Sequence, residues 1–482
     1  MWSRASARDH GTVVTVPEPS ACEWLRRLDG GELSARELVE RVLGRLDAAG
    51  PLNALVARDD EAALRAADAA DAARRQGDRR PLLGLPLTVK DSLATAGLTT
   101  ASGSWARAGH VPDDDATVVA RVRAAGAVVV GKTNVPEYTW SYETENPLYG
   151  RTVNPHDSAR TCGGSSGGEA ALLGAGATIA GIGTDGGGSI RVPSHYCGAA
   201  GLRPTAGLVP ETGCWPSTRD TGMLDMNAVG PMARHVEDLA LLLPVLAGCD
   251  DVDPFVHGPP PGAPETVDLA RLRVGFYTDD GVFPVSQATA EVVRGAARTL
   301  EAAGCAVEEA RPPAVDDATE LFFALMAADG GARARADTAG GEHVPQFARL
   351  LEDIRPLALD ASGFFALARR MFELRATIRA FVDAYDVVVC PVTAGPAPPH
   401  GCTPGEEGPL ESYLAFNYTH AFSLAGLPVA VVCAGVERAL PLGVQIVAGA
   451  FRDHVALAAA ALLERELGVF APTGRDAVKV AG

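Results

Sequence analysis

The sequence predicts an α/β fold, on three observations. Apolar runs of strand length alternate with amphipathic stretches of helix length, and no internal repeat interrupts the alternation. Hydrophobic residues make up 47% of the chain and charged residues 21%, the balance of a folded globular protein. A length of 482 residues is enough for one large core or for two to three ordinary domains.

In chain order, residues 21–80 are rich in Ala, Leu, Glu and Arg and read as N-terminal helices. Leu33-Ser34-Ala35-Arg36-Glu37 resembles a capping box opening one of them, and Glu61–Arg75 reads as another. Leu82–Val89 is a short apolar run that reads as a strand entering a loop at Lys90-Asp91. Thr117–Ala125 reads as a helix, Ala127–Val130 as a buried strand and Val236–Leu246 as a helix, which closes a core segment spanning 82–246. Residues 250–264 form a Pro-rich connection. Arg273–Phe276, Ser286–Ala303 and Ala306–Glu309 read as a β-α-β unit, and 316–385 as a helical insertion or cap. In the last segment, 386–468, Asp386–Pro391, Leu427–Cys433 and Leu442–Val447 read as strands and Val455–Leu467 as a helix. The later strands are expected to rejoin the first sheet, so that residues 1–482 make a single domain.

A formal net charge of −18 repels phosphate backbones and anionic lipid, so neither nucleic acid nor a membrane surface is an expected partner. Nine scattered cysteines without a C-x-x-C pair point to reduced thiols in a cytoplasmic protein. The first twenty residues lack the apolar core of a signal peptide, and no stretch reaches the roughly 18 apolar residues of a membrane span. Of 42 basic residues only Lys90, Lys132 and Lys479 are lysine. Where charge alone is wanted this sequence uses Arg, so a retained Lys asks whether its site needs a proton that can leave.

Three motif matches fail on context. Gly126–Thr133 satisfies the P-loop pattern ending in Lys132, but its four middle residues, Ala-Val-Val-Val, are themselves a strand, so an ATP-binding protein is the weak alternative and Lys132 reads as structural. Gly181–Gly186 satisfies G-x-G-x-x-G, but Gly187, Gly188 and Pro193 follow where a dinucleotide site needs a helix. Gly163–Gly167 satisfies the nucleophile-elbow pattern, but polar, irregular sequence precedes it and no histidine stands in a distinctive setting.

Two serines, Ser165 and Ser189, each sit beside a glycine cluster, and the apolar, small-residue stretch Ala170–Ile182 between them reads as a buried element holding their loops at a fixed distance. Gly186-Gly187-Gly188 lets consecutive backbone N–H groups converge on one point, as an acyl-transfer oxyanion requires. A serine hydroxyl needs a base, and Lys90, delivered by an apolar strand, becomes one if burial lowers its pKa. Glycines flank both serines, so local sequence alone does not exclude Ser165 as the nucleophile.

The stretches GGSSGGEAA (163–171), GTDGGGSIR (183–191) and CGAAGLRPT (197–205) together resemble the amidase signature family. GLPLTVKDSLATAG (84–97), GKTNVPE (131–137) and NPLYGRTVNP (146–155) extend the resemblance, with 316–385 the least typical part. The resemblance implies a mixed, largely parallel central sheet covered by helices on both faces. It implies a Ser–Ser–Lys triad in which Lys90 is the neutral-amine base, Ser165 the bridging serine on a cis peptide bond and Ser189 the acyl-forming nucleophile. The N–H groups of Gly186, Gly187, Gly188 and Ser189 would form the oxyanion hole, with Ser166, Asp185 and Arg191 bracing the loop. Thr139 matches a position close to the triad in the fatty acid amide hydrolase branch and would touch substrate. The implied reaction is hydrolysis of a non-peptide amide C–N bond, without metal or organic cofactor, on a small-molecule substrate; a homodimer is the candidate assembly. The alternative within the family is the glutaminase component of a tRNA-dependent amidotransferase, against which residues 208–225 lack a Ser-Arg-Tyr-Gly run. Substrate choice is expected to lie in Glu211–Met226, around Trp215, Met223 and Met226, and in Phe322–Met326 and Phe364–Phe372.

Overall fold

The computed structural model describes residues 18–219, 221–401 and 410–470. Lys479 and residues 1–17, on which the leader-peptide expectation rests, lie outside the described residues. Two N-terminal helices, Ala21–Asp29 and Ala35–Ala48, open the described chain; in the second, Ser34 and Glu37 form the expected reciprocal capping box.

The strands are β1 (Leu55–Ala57), β2 (Pro86–Lys90), β3 (Val128–Thr133), β4 (Glu145–Asn146), β5 (Gly150–Arg151), β6 (Ala180–Asp185), β7 (Ala200–Arg203), β8 (Ala228–Ala233), β9 (Arg273–Phe276), β10 (Ala306–Glu309), β11 (Val387–Pro391), β12 (Val429–Glu437) and β13 (Leu440–Ala448). Apart from the small β4–β5 ladder they form one 11-stranded sheet in the order β1-β3-β2-β6-β8-β7-β12-β13-β11-β9-β10. Strands from both sides of the Pro-rich connection thus share one sheet.

That sheet is mixed, but the description "largely parallel" holds only on its flanks. Pairings β3–β2–β6 and β11–β9–β10 are parallel, whereas those from β6 through β8, β7, β12 and β13 to β11 are antiparallel, as is β1–β3. Connection length explains one pairing of each kind. Parallel neighbours need a crossover, which the helix Gln287–Ala302 supplies between β9 and β10, whereas β12 and β13 are joined by only Arg438 and Ala439, with φ of 50° and 67°, a primed hairpin turn.

Helices cover both faces, as the period-2 pattern of β11 shows. Val387 and Val389 pack into the core that includes Leu457, Leu463, Val293 and Leu239, from the helices Asp453–Leu467, Gln287–Ala302 and Val236–Leu246. Val388 and Cys390 pack into the other core with Ile378, Phe422 and Phe322, from the helices Ala361–Asp383, Asn417–Ala425 and Ala318–Met326. The expected helical cap is therefore the cover of this second face.

Two local expectations need correction. Residues 82–84 are turn rather than strand: Gly84 adopts φ +78°, where a Cβ would stand 2.6 Å from the Cβ of Ala35, and β2 starts only at Pro86. The single buried element expected over Ala170–Ile182 is two elements, the helix Gly167–Gly174 and strand β6. All eight described cysteines are free, and no described helix is long and apolar enough to cross a membrane.

Candidate active site

Lys90 and Asp185 end two adjacent parallel strands, β2 and β6, with Val89 in register with Ile182. The carboxyl ends of parallel strands are where open α/β sheets place ligands. The Lys90 side chain and the glycine loop after Asp185 therefore leave the sheet at one edge. Ser165 arrives at the same edge just ahead of the helix Gly167–Gly174.

Lys90 is fully buried, and its Nζ lies 2.7 Å from Ser165 Oγ and 2.7 Å from Thr184 Oγ1. Burial pulls the amine down to about 7, close to neutral pH. The Gly164–Ser165 peptide bond is cis. Ser166 donates its N–H to Ser189 O at 3.0 Å and its Oγ to Thr184 O at 3.3 Å, which ties the Ser165 loop to the Ser189 loop. Ser165 is buried, whereas Gly186 and Ser189 are partly exposed.

Asp185 organises the glycine loop. Its carboxylate accepts the N–H groups of Gly188 at 2.8 Å, Ile190 at 3.0 Å and Arg191 at 3.2 Å, and two guanidinium bonds from Arg191 at 2.8 and 2.9 Å. Arg191 also donates to Thr419 O, Gln445 Oε1 and Ser423 Oγ. The guanidinium beside it holds the Asp185 carboxyl well below the usual range even though burial works the other way. This corrects the assignment of Gly188 to the oxyanion hole, because its N–H is committed to Asp185. The N–H groups of Gly186, Gly187 and Ser189 have no acceptor among the described residues and remain available.

Sequence reasoning missed the support behind Gly187. Its carbonyl accepts from Tyr142 Oη at 2.8 Å and from Thr419 Oγ1 at 2.6 Å. Tyr142 Oη also lies 2.7 Å from His420 Nε2, and His420 Nδ1 lies 2.9 Å from Thr319 Oγ1. Burial pushes His420 down to about 3, so its ring is neutral, and it does not line the chamber at Ser189. Residue separations of 45 for Tyr142–Gly187 and 232 for Thr419–Gly187 left no local pattern to find.

A chamber of about 80 Å³ opens at Ser189. Ser165, Thr184, Gly186, Gly187 and Thr139 line it, together with Met223, Phe322 and Met326 from the stretches expected to set substrate choice. Trp215, Met226, Phe364 and Phe372 do not line it. Trp215 packs edge-on to Tyr138 at 5.3 Å, Met226 is core, and Phe372 is exposed. Phe323, within the expected stretch Phe322–Met326, also lines it, whereas Trp140, Tyr142, Leu350 and Tyr413 complete the wall unforeseen.

Lys132 stands apart. It lies within β3 and is fully buried, and its Nζ donates to Leu93 O, to Thr95 Oγ1 at 2.9 Å and to Thr100 Oγ1 at 3.2 Å. It pins the loop after Lys90. No glycine-rich phosphate loop surrounds it, since Val128–Thr133 is strand throughout.

The amidase family model matches residues 37–457. The chain belongs to the amidase family. Indoleacetamide hydrolase of Bradyrhizobium diazoefficiens is 34% identical over 473 residues, covering 94% of this chain and 87% of its own. The A component of the glutamyl-tRNA(Gln) amidotransferase of Roseiflexus sp. (strain RS-1) is 36% identical over 456 residues, covering 89% and 92%. Among solved structures, 6-aminohexanoate cyclic dimer hydrolase complexed with substrate superposes with a TM-score of 0.83 at 27% identity, covering 93% of this chain and 97% of its own. The amidase is thus a hydrolase of the amidase-signature type, acting on C–N bonds, and its mixed sheet with helices on both faces is the fold of that family.

Proposed function

We propose that this amidase hydrolyses a small-molecule carboxylic amide through an acyl-enzyme on Ser189, with Ser165 as proton bridge and Lys90 as base. The observation that carries this reading is a fully buried amine, brought down to about 7 by burial and 2.7 Å from a serine hydroxyl, beside a second serine that opens onto a chamber. The neutral Lys90 amine takes the Ser165 proton as Ser165 takes that of Ser189. Ser189 Oγ then bonds the amide carbon, and the carbonyl oxygen, now negative, accepts from the N–H groups of Gly186, Gly187 and Ser189. On collapse the C–N bond breaks, and the proton held on Lys90 returns through Ser165 to the departing nitrogen. Water repeats the sequence on the ester and releases the acid. Thr139, on the chamber wall, is in place to touch substrate, while Ser166, Asp185 and Arg191 hold the loop in shape.

The same reading takes the enzyme to work in the cytoplasm as a homodimer, without nucleic acid. The net charge of −18 and the eight free described cysteines support its location and the exclusion of nucleic acid. The likeness to amidotransferase components keeps a second reading, a glutaminase working in a complex; ammonia release from glutamine that depends on added partner proteins and tRNA would favour it. The direct test of the mechanism is an activated phosphonate. It should add once per chain, and fragmentation of the tryptic peptide Thr161–Arg191 should place the adduct on Ser189. Ser189→Ala should abolish labelling, and Ser165→Ala should slow it without moving it. An adduct on Ser165 in the wild-type protein would overturn the nucleophile assignment.

A further inference from the structure

The chamber at Ser189 has room for a small amide only. Ligand sites ordinarily span about 300–1,000 Å³, whereas this one offers about 80 Å³, space for the reacting amide and little more. A second cavity adjoins it. Trp140, Ser141, Phe323, Leu350 and Tyr413 line the chamber on one side and this second cavity, of about 610 Å³, on the other. That outer cavity is walled by Ala324, Val344, Phe347, Ile354 and Leu357, of which Phe347 and Ile354 belong to the helix Pro345–Ile354 of the insertion. Its lining also holds five carboxylates, from Glu137, Glu143, Glu145, Glu320 and Asp353, against the single guanidinium of Arg349, which pairs with Asp353, while Glu320 pairs with Arg370 outside the lining. Arg151, His343 and His400, which pair with Glu145, Glu137 and Glu143, are not part of the lining.

From this we infer that the enzyme is built for extended amides, with the C–N bond in the inner chamber and a bulky apolar, neutral or cationic group on one side of it lying in the outer cavity. The inference rests on the proposed acyl-enzyme site and adds the class of substrate that site takes. Two features argue for it. The shared wall is aromatic and aliphatic, so a chain passing through it exchanges water for apolar contact along its length. The acidic lining disfavours an anionic end by like-charge repulsion in a partly enclosed space. Primary amides of two or three carbons would fill the inner chamber and leave the outer cavity empty.

The test uses p-nitrophenyl alkylphosphonates carrying an ethyl, an octyl or an ω-carboxyoctyl chain, with the rate of Ser189 labelling as the readout. Burying a methylene contributes about 0.8 kcal/mol, roughly fourfold in rate constant. The octyl reagent should therefore label at least about tenfold faster than the ethyl reagent, even if only two of the added methylenes are buried. The ω-carboxyoctyl reagent should lose most of that gain. Leu350→Trp, which narrows the passage, should lower the octyl-to-ethyl ratio by about tenfold or more. Equal rates for octyl and ethyl on wild-type protein would overturn the inference while leaving the hydrolase reading intact. Equal rates for octyl and ω-carboxyoctyl would overturn its exclusion of anionic groups. Failure of every reagent to label Ser189 would bring down the proposed site and the inference with it.

Discussion

Replacing Lys90 by Arg keeps a positive charge at the end of β2 and removes the base. The structure sets the size of the effect. With the ordinary lysine value of 10.5, about one amine in a thousand is neutral at pH 7.5; at the value of about 7 that burial imposes on Lys90, roughly three in four are. Desolvation thus multiplies the working base about 700-fold, equivalent to about 4 kcal/mol of barrier. A guanidinium cannot be deprotonated at accessible pH. Lys90→Arg should therefore lower kcat/KM by at least about 10³-fold, as far as Lys90→Ala does, with no recovery up to pH 10. The wild-type profile carries the sign of the same argument. The amine must be neutral to act, so log kcat/KM should fall with unit slope below about pH 7 and level off above it. The assay is amine or ammonia release from one turned-over amide between pH 5 and 10, with circular dichroism confirming that the variants are folded. A Lys90→Arg enzyme within tenfold of wild type, or a wild-type profile flat from pH 5 to 8, would refute the reasoning.

Two further predictions come from groups behind the site. Tyr142→Phe removes one of the two hydroxyls held by the Gly187 carbonyl; kcat should fall about tenfold, the equivalent of one hydrogen bond, with KM little changed, and a matching rise in KM would count against a positioning role. Burial pushes Glu169 up to about 8, and it accepts from Thr88 and Thr133. Its folded value lies above its unfolded one, so its contribution to stability is full below about 4.5 and is lost as pH rises towards 8. Glu169→Gln should be nearly neutral for stability at low pH and gain Tm relative to wild type between pH 5 and 8; a constant Tm difference across that range would contradict the assignment.

What the sequence made legible was local. The Ser34–Glu37 box, the helix Val236–Leu246 and the β9-helix-β10 unit follow from patterns within forty residues, and the structure places them where those patterns lie. The pairing of the two motif loops was legible only because the family resemblance spans them. Physically it comes from the adjacency of β2 and β6, which no spacing along the chain reveals. Gly188 was misassigned for the same reason: a triple glycine says that backbone donors are available, not that a carboxylate three residues earlier takes one of them. The walls of the two cavities were least legible. Trp140 meets Leu350 and Tyr413 across 210 residues or more of chain, and an aromatic such as Trp215 looks the same in sequence whether it faces substrate or packs against Tyr138.

The Arg191 anchorage has a consequence for biosynthesis. Thr419, Ser423 and Gln445, which close around the guanidinium, are made 228 to 254 residues after it. A ribosome that has translated every residue named in the catalytic proposal has therefore not yet supplied half of the cage that holds the Asp185 loop. Until then the nascent chain carries a guanidinium destined for full burial with only Asp185 to satisfy it, and β7 lacks the neighbour that β12 will become. Assembly of the hydrolytic centre is thus tied to the near-completion of the polypeptide. Fragments ending before about residue 445 should bind the phosphonate poorly even though they contain the whole triad, and the missing piece supplied in trans should restore labelling.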